Sequence, residues 1–205
     1  MFKVLCVTHS AVCVEPFLTR IKRIAEARPA GIILREKTLD SRELCKLAEK
    51  VSSLCSLYHV PLYINGSIVA ARKYSCDGVH LPMPALRELE NATNTGCGIV
   101  GASVHSVKEA EEAVCRKASY LVAGHIFATS CKPGVPPRGI DFLRAVCRAV
   151  PLPVYAIGGI TPQNVGLLKG TGIAGVCVMS GMMTCPDPAL LLKELNAAWD
   201  SAGEK

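Results

Sequence analysis

Aromatic side chains are scarce: one Trp, five Tyr and four Phe make up 5% of the 205 residues. A nucleic-acid surface combines a basic stripe with aromatics on which bases stack. This chain has neither in one place, so nucleic acid is not an expected partner. No apolar run reaches the roughly 18 residues needed to span a bilayer, so no membrane partner is expected and the protein reads as soluble and cytoplasmic. C-x-x-C pairs are missing, the cysteine count of eleven is odd, and the N-terminal residues do not read as a secretory leader. These absences point away from a disulfide framework and toward reduced thiols. Linkers, low-complexity tracts and charge blocks are also lacking, which leaves one domain over residues 1–205 as the expectation.

What remains is a chain half of whose residues are apolar, so its core must come from Val, Ile, Leu, Ala and Cys, as in buried parallel strands. Cys6, Cys76, Cys97, Cys147 and Cys177 stand in apolar surroundings, where Cys acts as a small hydrophobe. Only Cys131 lies in a polar stretch. The net charge of +6 is modest, and its cations are scattered along helix-like segments (Arg20, Lys22, Arg23; Arg144, Arg148). That charge is compatible with a small anionic ligand.

Short apolar runs alternate with amphipathic segments from end to end, the pattern of repeated strand–helix units. Strands are predicted near Val4–Thr8, Gly31–Leu34, Pro61–Ile64, Gly78–His80, Ile99–Ala102, Tyr120–Ala123, Pro153–Ile157 and Gly175–Met179. Eight such units favour an α/β fold, a single-domain (β/α)8 TIM barrel, over an open doubly wound sheet. Helix starts are signalled at Asp40 and Ser106, each with a Glu three residues on. Another is signalled at Thr161-Pro162, a cap followed by Pro. The stretch from Ala128 to Gly139 is rich in turn residues and long enough to be a working loop.

Barrel sites are built at the carboxyl ends of the strands. Gly158-Gly159 after strand seven and Ser180-Gly181 after strand eight are therefore expected to form a phosphate cup, since missing Cβ atoms let backbone N–H groups approach oxygens. Arg35 and Lys37 flank Glu36, so in an extended segment both cations point to one side and suit a second anion, or else pair with helix acids at the rim. His125 ends strand six and is the first choice for an acid-base catalyst, with a structural histidine bonded to a neighbouring carbonyl as the alternative. His80 and His105 also end strands and read as structural. Asn65, Ser103, Thr129 and Lys132 complete the candidate binding set. Apart from Glu36 no carboxylate stands at a strand end, and no His or Cys spacing suits zinc, so no metal is expected.

Leu34-Arg35-Glu36-Lys37, Asp77-Gly78-Val79-His80-Leu81, GASVH from Gly101 to His105, Ala156-Ile157-Gly158-Gly159-Ile160-Thr161-Pro162 and Val178-Met179-Ser180-Gly181 together resemble the thiamine phosphate synthase superfamily. The resemblance runs in order through nearly the whole chain. It implies a (β/α)8 barrel of one of two branches, the synthase or the TenI-type thiazole tautomerase. The synthase pattern has an acidic residue beside the Asn after strand three, where this chain has Asn65-Gly66. It has another shortly after the strand-four His-Leu, where this chain reads Pro82-Met83-Pro84-Ala85. Ile33 replaces a usual Gln, and Gly124-His125 replaces a Gly-Pro.

These departures resemble the tautomerase branch. They imply an isomerase of thiamine biosynthesis that aromatises a carboxythiazole phosphate tautomer without a cofactor, with His125 moving the proton. A small phosphorylated thiazole is then the partner expected, and a homodimer is compatible with the apolar composition. The alternatives are thiamine phosphate synthase, joining hydroxymethylpyrimidine diphosphate to thiazole phosphate, and a noncatalytic thiazole-phosphate-binding regulator.

Overall fold

The computed structural model describes residues 2–202. Eight parallel strands run β1 (Lys3–Val7), β2 (Gly31–Leu34), β3 (Leu62–Asn65), β4 (Gly78–Pro82), β5 (Ile99–Val104), β6 (Tyr120–Gly124), β7 (Val154–Ile157) and β8 (Gly175–Val178). Each pairs with the next, and β8 pairs with β1 to close the barrel. The predicted strands all occur, with ends shifted by at most two residues, because buried parallel strands of β-branched residues are a strong local signal.

Period-two alternation divides the side chains into two layers. Leu5, Val7, Ile33, Tyr120, Val122, Tyr155 and Cys177 fill the barrel interior. Their strand neighbours, among them Val4, Cys6, Ile32, Leu34, Leu121 and Val176, point outward into a larger core shared with the helices.

The jacket comprises α1 (Phe17–Glu26), α2 (Ser41–Tyr58), α3 (Ile68–Lys73), α4 (Met83–Arg87), α5 (Val107–Cys115), α6 (Gly139–Ala149), α7 (Ser180–Thr184) and α8 (Pro188–Ser201). Helix α2 starts with the capping box expected at Asp40 and Glu43. At α5 the box is shifted by one residue. Ser106 caps the Glu109 N–H, but the Glu109 carboxylate accepts the N–H of His105 at 2.7 Å instead of that of Ser106.

The expected helix at Thr161-Pro162 does not form. Asn164 takes over its start: its side-chain oxygen accepts the Thr161 N–H at 2.9 Å, and its amide donates to the Gly159 carbonyl at 2.7 Å. The segment tightens into a 3-10 turn over Val165–Leu168, and left-handed Gly170 and Gly172 end it. A Ser/Thr/Asn side chain bonding nearby backbone competes with helix in this way.

Candidate functional site

The carboxyl ends of the strands surround a cavity of about 610 Å³, the end of a barrel where sites are built. All eleven candidate residues line it: Arg35, Lys37, Asn65, Ser103, His125, Thr129, Lys132, Gly158, Gly159, Ser180 and Gly181.

The cations come first, because their arrangement is set by one carboxylate facing the other way. Buried Glu36 accepts from the Thr8 hydroxyl at 2.8 Å, the Ser10 N–H at 2.9 Å and the Ser10 hydroxyl at 2.6 Å, which ties β2 to the loop after β1. Arg35 and Lys37 on either side of it therefore project into the cavity. Neither makes an ion pair among the described residues, so pairing with helix acids is not what holds them.

Lys132 arrives from the loop after β6. Partial desolvation and the neighbouring Arg138, Lys37 and Arg35 charges hold its ammonium below the usual lysine range. Burial likewise lowers the Arg35 guanidinium. Among the described residues no carboxylate lines this cavity. Three cations around one cavity, with no carboxylate beside them among the described residues, favour an anionic ligand that restores balance.

Gly158 and Gly159 have a second task beside lining the cavity. Gly158 has φ +104 and Gly159 φ +66, left-handed values that favour glycine. A Cβ at Gly158 would fall 2.2 Å from the His125 Cβ, and one at Gly159 would fall 2.3 Å from the Ala128 carbonyl oxygen. The space a side chain would take is thus occupied by the loop after β6, whose Ile126 and Phe127 N–H groups donate to Ile157 and Gly158. The pair seats His125 as well as lining the cavity. Ser180 and Gly181 open the short α7, where first-turn N–H groups have no intrahelical acceptor. Buried Arg20 supports this segment from α1 by donating to the Cys185 carbonyl at 2.7 Å.

His125 is 4% exposed and follows a cis Gly124–His125 peptide. Its Nε2 lies 3.2 Å from the Val135 carbonyl. A carbonyl only accepts, so this nitrogen carries a proton and Nδ1 holds the lone pair when the ring is neutral. The Arg138 N–H donates to the His125 carbonyl at 2.9 Å, so residues 132–138 fold back over the histidine from both sides. One ring nitrogen plays the structural part that the sequence allowed as an alternative. The other has no hydrogen-bond partner among the described residues.

His80 and His105, read from sequence as structural, also line the cavity. His105 donates through Nδ1 to the Gly124 carbonyl at 2.7 Å. His80 sits between the Tyr120 hydroxyl and Ser103 Oγ; burial first, then the Arg35 charge, pushes it down to about 4. The signal for His80 was the alternation in Val79-His80-Leu81, which turns the histidine inward while its apolar neighbours face the helices. Cys131, Thr161 and Thr184 were not assigned to the site and also line it. Among the described residues no cluster of three His, Cys, Asp or Glu could hold a metal ion. A hard divalent cation wants carboxylates, and the described residues lining this cavity do not supply them.

The sequence model of the family described as thiamine monophosphate synthase matches residues 4–182. The chain belongs to that family. A thiamine-phosphate synthase of Caldivirga maquilingensis is 32% identical over 196 residues, covering 96% of each chain. One from Pyrococcus horikoshii is 36% identical over 176 residues, covering 84% of each. A thiamine phosphate pyrophosphorylase structure from Pyrococcus furiosus superposes with TM-score 0.81 at 27% identity, over 98% of this chain and 96% of the other. Family membership places the protein among thiamine-biosynthetic barrel enzymes. The relatives carry the synthase's name and do not single out the tautomerase branch.

Proposed function

We propose that the protein is an isomerase, a thiazole tautomerase that aromatises a carboxythiazole phosphate tautomer. The observation that carries this reading is the cavity wall itself: His125, with one nitrogen held and the other free, beside three cations and no carboxylate among the described residues. The phosphate would sit against Gly159, Ser180 and Gly181, and the carboxylate against Arg35, Lys37 and Lys132. The ring would then lie between them, against His125.

The chemistry moves one proton. Nδ1 accepts a proton from ring C2, the imidazolium stands while electrons shift through the ring, and the proton goes to the exocyclic side-chain carbon. Charge and atoms balance without a co-reactant. The cations stabilise the electron-rich intermediate left by C2 deprotonation, the kind of preorganised electrostatic support that lowers barriers most. Because Nε2–H stays on the Val135 carbonyl, one nitrogen serves as both base and acid.

A second reading, thiamine phosphate synthase, is favoured by the names of the relatives. Two parallel assays separate them. Purified protein with the tautomer and a chelator is followed for appearance of the aromatic ring. The same protein with magnesium, hydroxymethylpyrimidine diphosphate and thiazole phosphate is followed for thiamine phosphate. Aromatisation without coupling supports the isomerase, whereas coupling without accelerated aromatisation overturns it.

A further inference from the structure

Three residues stand in one row across three strands: His80 is in register with Gly101, and Gly101 with Tyr120. A Cβ at Gly101 would fall 2.1 Å from the Tyr120 ring and 2.5 Å from its hydroxyl oxygen. The missing side chain in the middle strand is what lets the phenol cross β5 and reach His80 Nδ1, 3.1 Å away. On the other side of the ring, His80 Nε2 lies 2.7 Å from Ser103 Oγ. Ser103 is two residues beyond Gly101 on the same face and lines the cavity. A continuous chain of polar groups therefore runs from the barrel interior to the cavity floor.

The direction of this chain is decided at its buried end. The Tyr120 ring packs edge-on against Tyr63 and Tyr155, with centroids 5.7 Å from each. Among the described residues His80 Nδ1 is the acceptor its hydroxyl reaches. A buried O–H without an acceptor is costly, so the phenol donates to Nδ1. A neutral imidazole then carries its proton on Nε2, which donates to Ser103 Oγ. The Ser103 hydroxyl hydrogen is left to point into the cavity. The reverse order would orphan the phenol's proton and present lone pairs to the ligand.

We propose that Tyr120 is a positioning residue which, through His80, fixes the Ser103 hydroxyl as a donor to an anionic oxygen of the substrate. The substrate half of this inference rests on the cavity's reading as the site of a phosphorylated thiazole. Burial and Arg35 keep the His80 ring neutral at physiological pH, as the relay requires.

The test has two arms. In protein labelled with 15N-histidine, two-bond nitrogen–proton correlations report the tautomer of each ring, and loss of signal in His80→Gln assigns His80. The wild type should show His80 protonated on Nε2, and Tyr120→Phe, which keeps the ring packing, should lose that single tautomer. A wild-type His80 protonated on Nδ1, or a pattern unchanged in Tyr120→Phe, overturns the proposal. This arm needs no turnover, so it stands or falls apart from the isomerase reading.

The second arm is a double-mutant cycle on kcat/KM for aromatisation. Tyr120→Phe should lose about tenfold, Ser103→Ala at least as much, and the double variant no more than Ser103→Ala alone. Losses that multiply would show the two residues acting independently and overturn it.

Discussion

His125 Nε2 and the Val135 carbonyl lie 3.2 Å apart, joining the residue at the end of β6 to the far side of the loop that follows it. One bond thereby fixes both the ring's proton and the loop's position. Pro136 and Pro137 stiffen the return, and Arg138 closes it on the His125 carbonyl. Glutamine can place its side-chain amide where Nε2 lies, whereas asparagine reaches only to the position of Nδ1. His125→Gln should thus keep the loop and unfold within about 2 °C of wild type, while His125→Asn loses a hydrogen bond of about 1 kcal/mol and unfolds about 2–4 °C lower. Thermal melts and limited proteolysis of the 128–139 loop check the difference.

Gly158→Ala forces a Cβ against that of His125 in a left-handed backbone. Strain and overlap together should cost about 2–4 kcal/mol, lowering Tm by roughly 5 °C or more, and should cut turnover in the folded fraction by displacing the histidine. Melting curves and kcat on the same preparation would show both effects; a variant equal to wild type in each would mean that the loop after β6 does not depend on this contact.

On the proposed reading, the cation cluster binds the substrate's anionic groups and stabilises the electron-rich reacting state further. Arg35→Gln and Lys37→Gln should each lower kcat/KM by about tenfold or more, through kcat as well as KM, and the double change should weaken the dependence of kcat/KM on ionic strength. Steady-state kinetics at two salt concentrations tests this.

His80 gives stability a pH dependence. Its folded-state value is held down to about 4, below the ordinary 6.5. Between those values the unfolded chain binds a proton that the folded chain refuses, so stability falls as pH drops through this window, by up to about 3 kcal/mol from this residue. From about a unit above 6.5 both states are neutral and this contribution is flat. Denaturant unfolding from pH 7 to 4.5 should show that slope, shallower in His80→Gln.

Much of this was legible in the sequence because it is local. Strand periodicity gave eight strands and hence the barrel, and strand-end positions gave eleven residues that share one cavity. The helix at Thr161 was misread because Asn164, three residues on, competes for the same backbone groups. The double duty of Gly158 and Gly159 was hidden because the atoms filling their Cβ positions come from a loop some thirty residues earlier in the chain. The row His80, Gly101, Tyr120 depends on inter-strand register, which the stagger of a closed barrel sets and no single strand encodes.

The role proposed for His125 is tested by the rate of aromatisation of the carboxythiazole phosphate tautomer by wild type and by His125→Gln, with a chelator present. Wild type should accelerate the reaction well above buffer, and His125→Gln, folded and with its loop in place, should lose about 10²–10⁴-fold of that acceleration. A His125→Gln variant as fast as wild type, or a wild type no faster than buffer, would contradict that role.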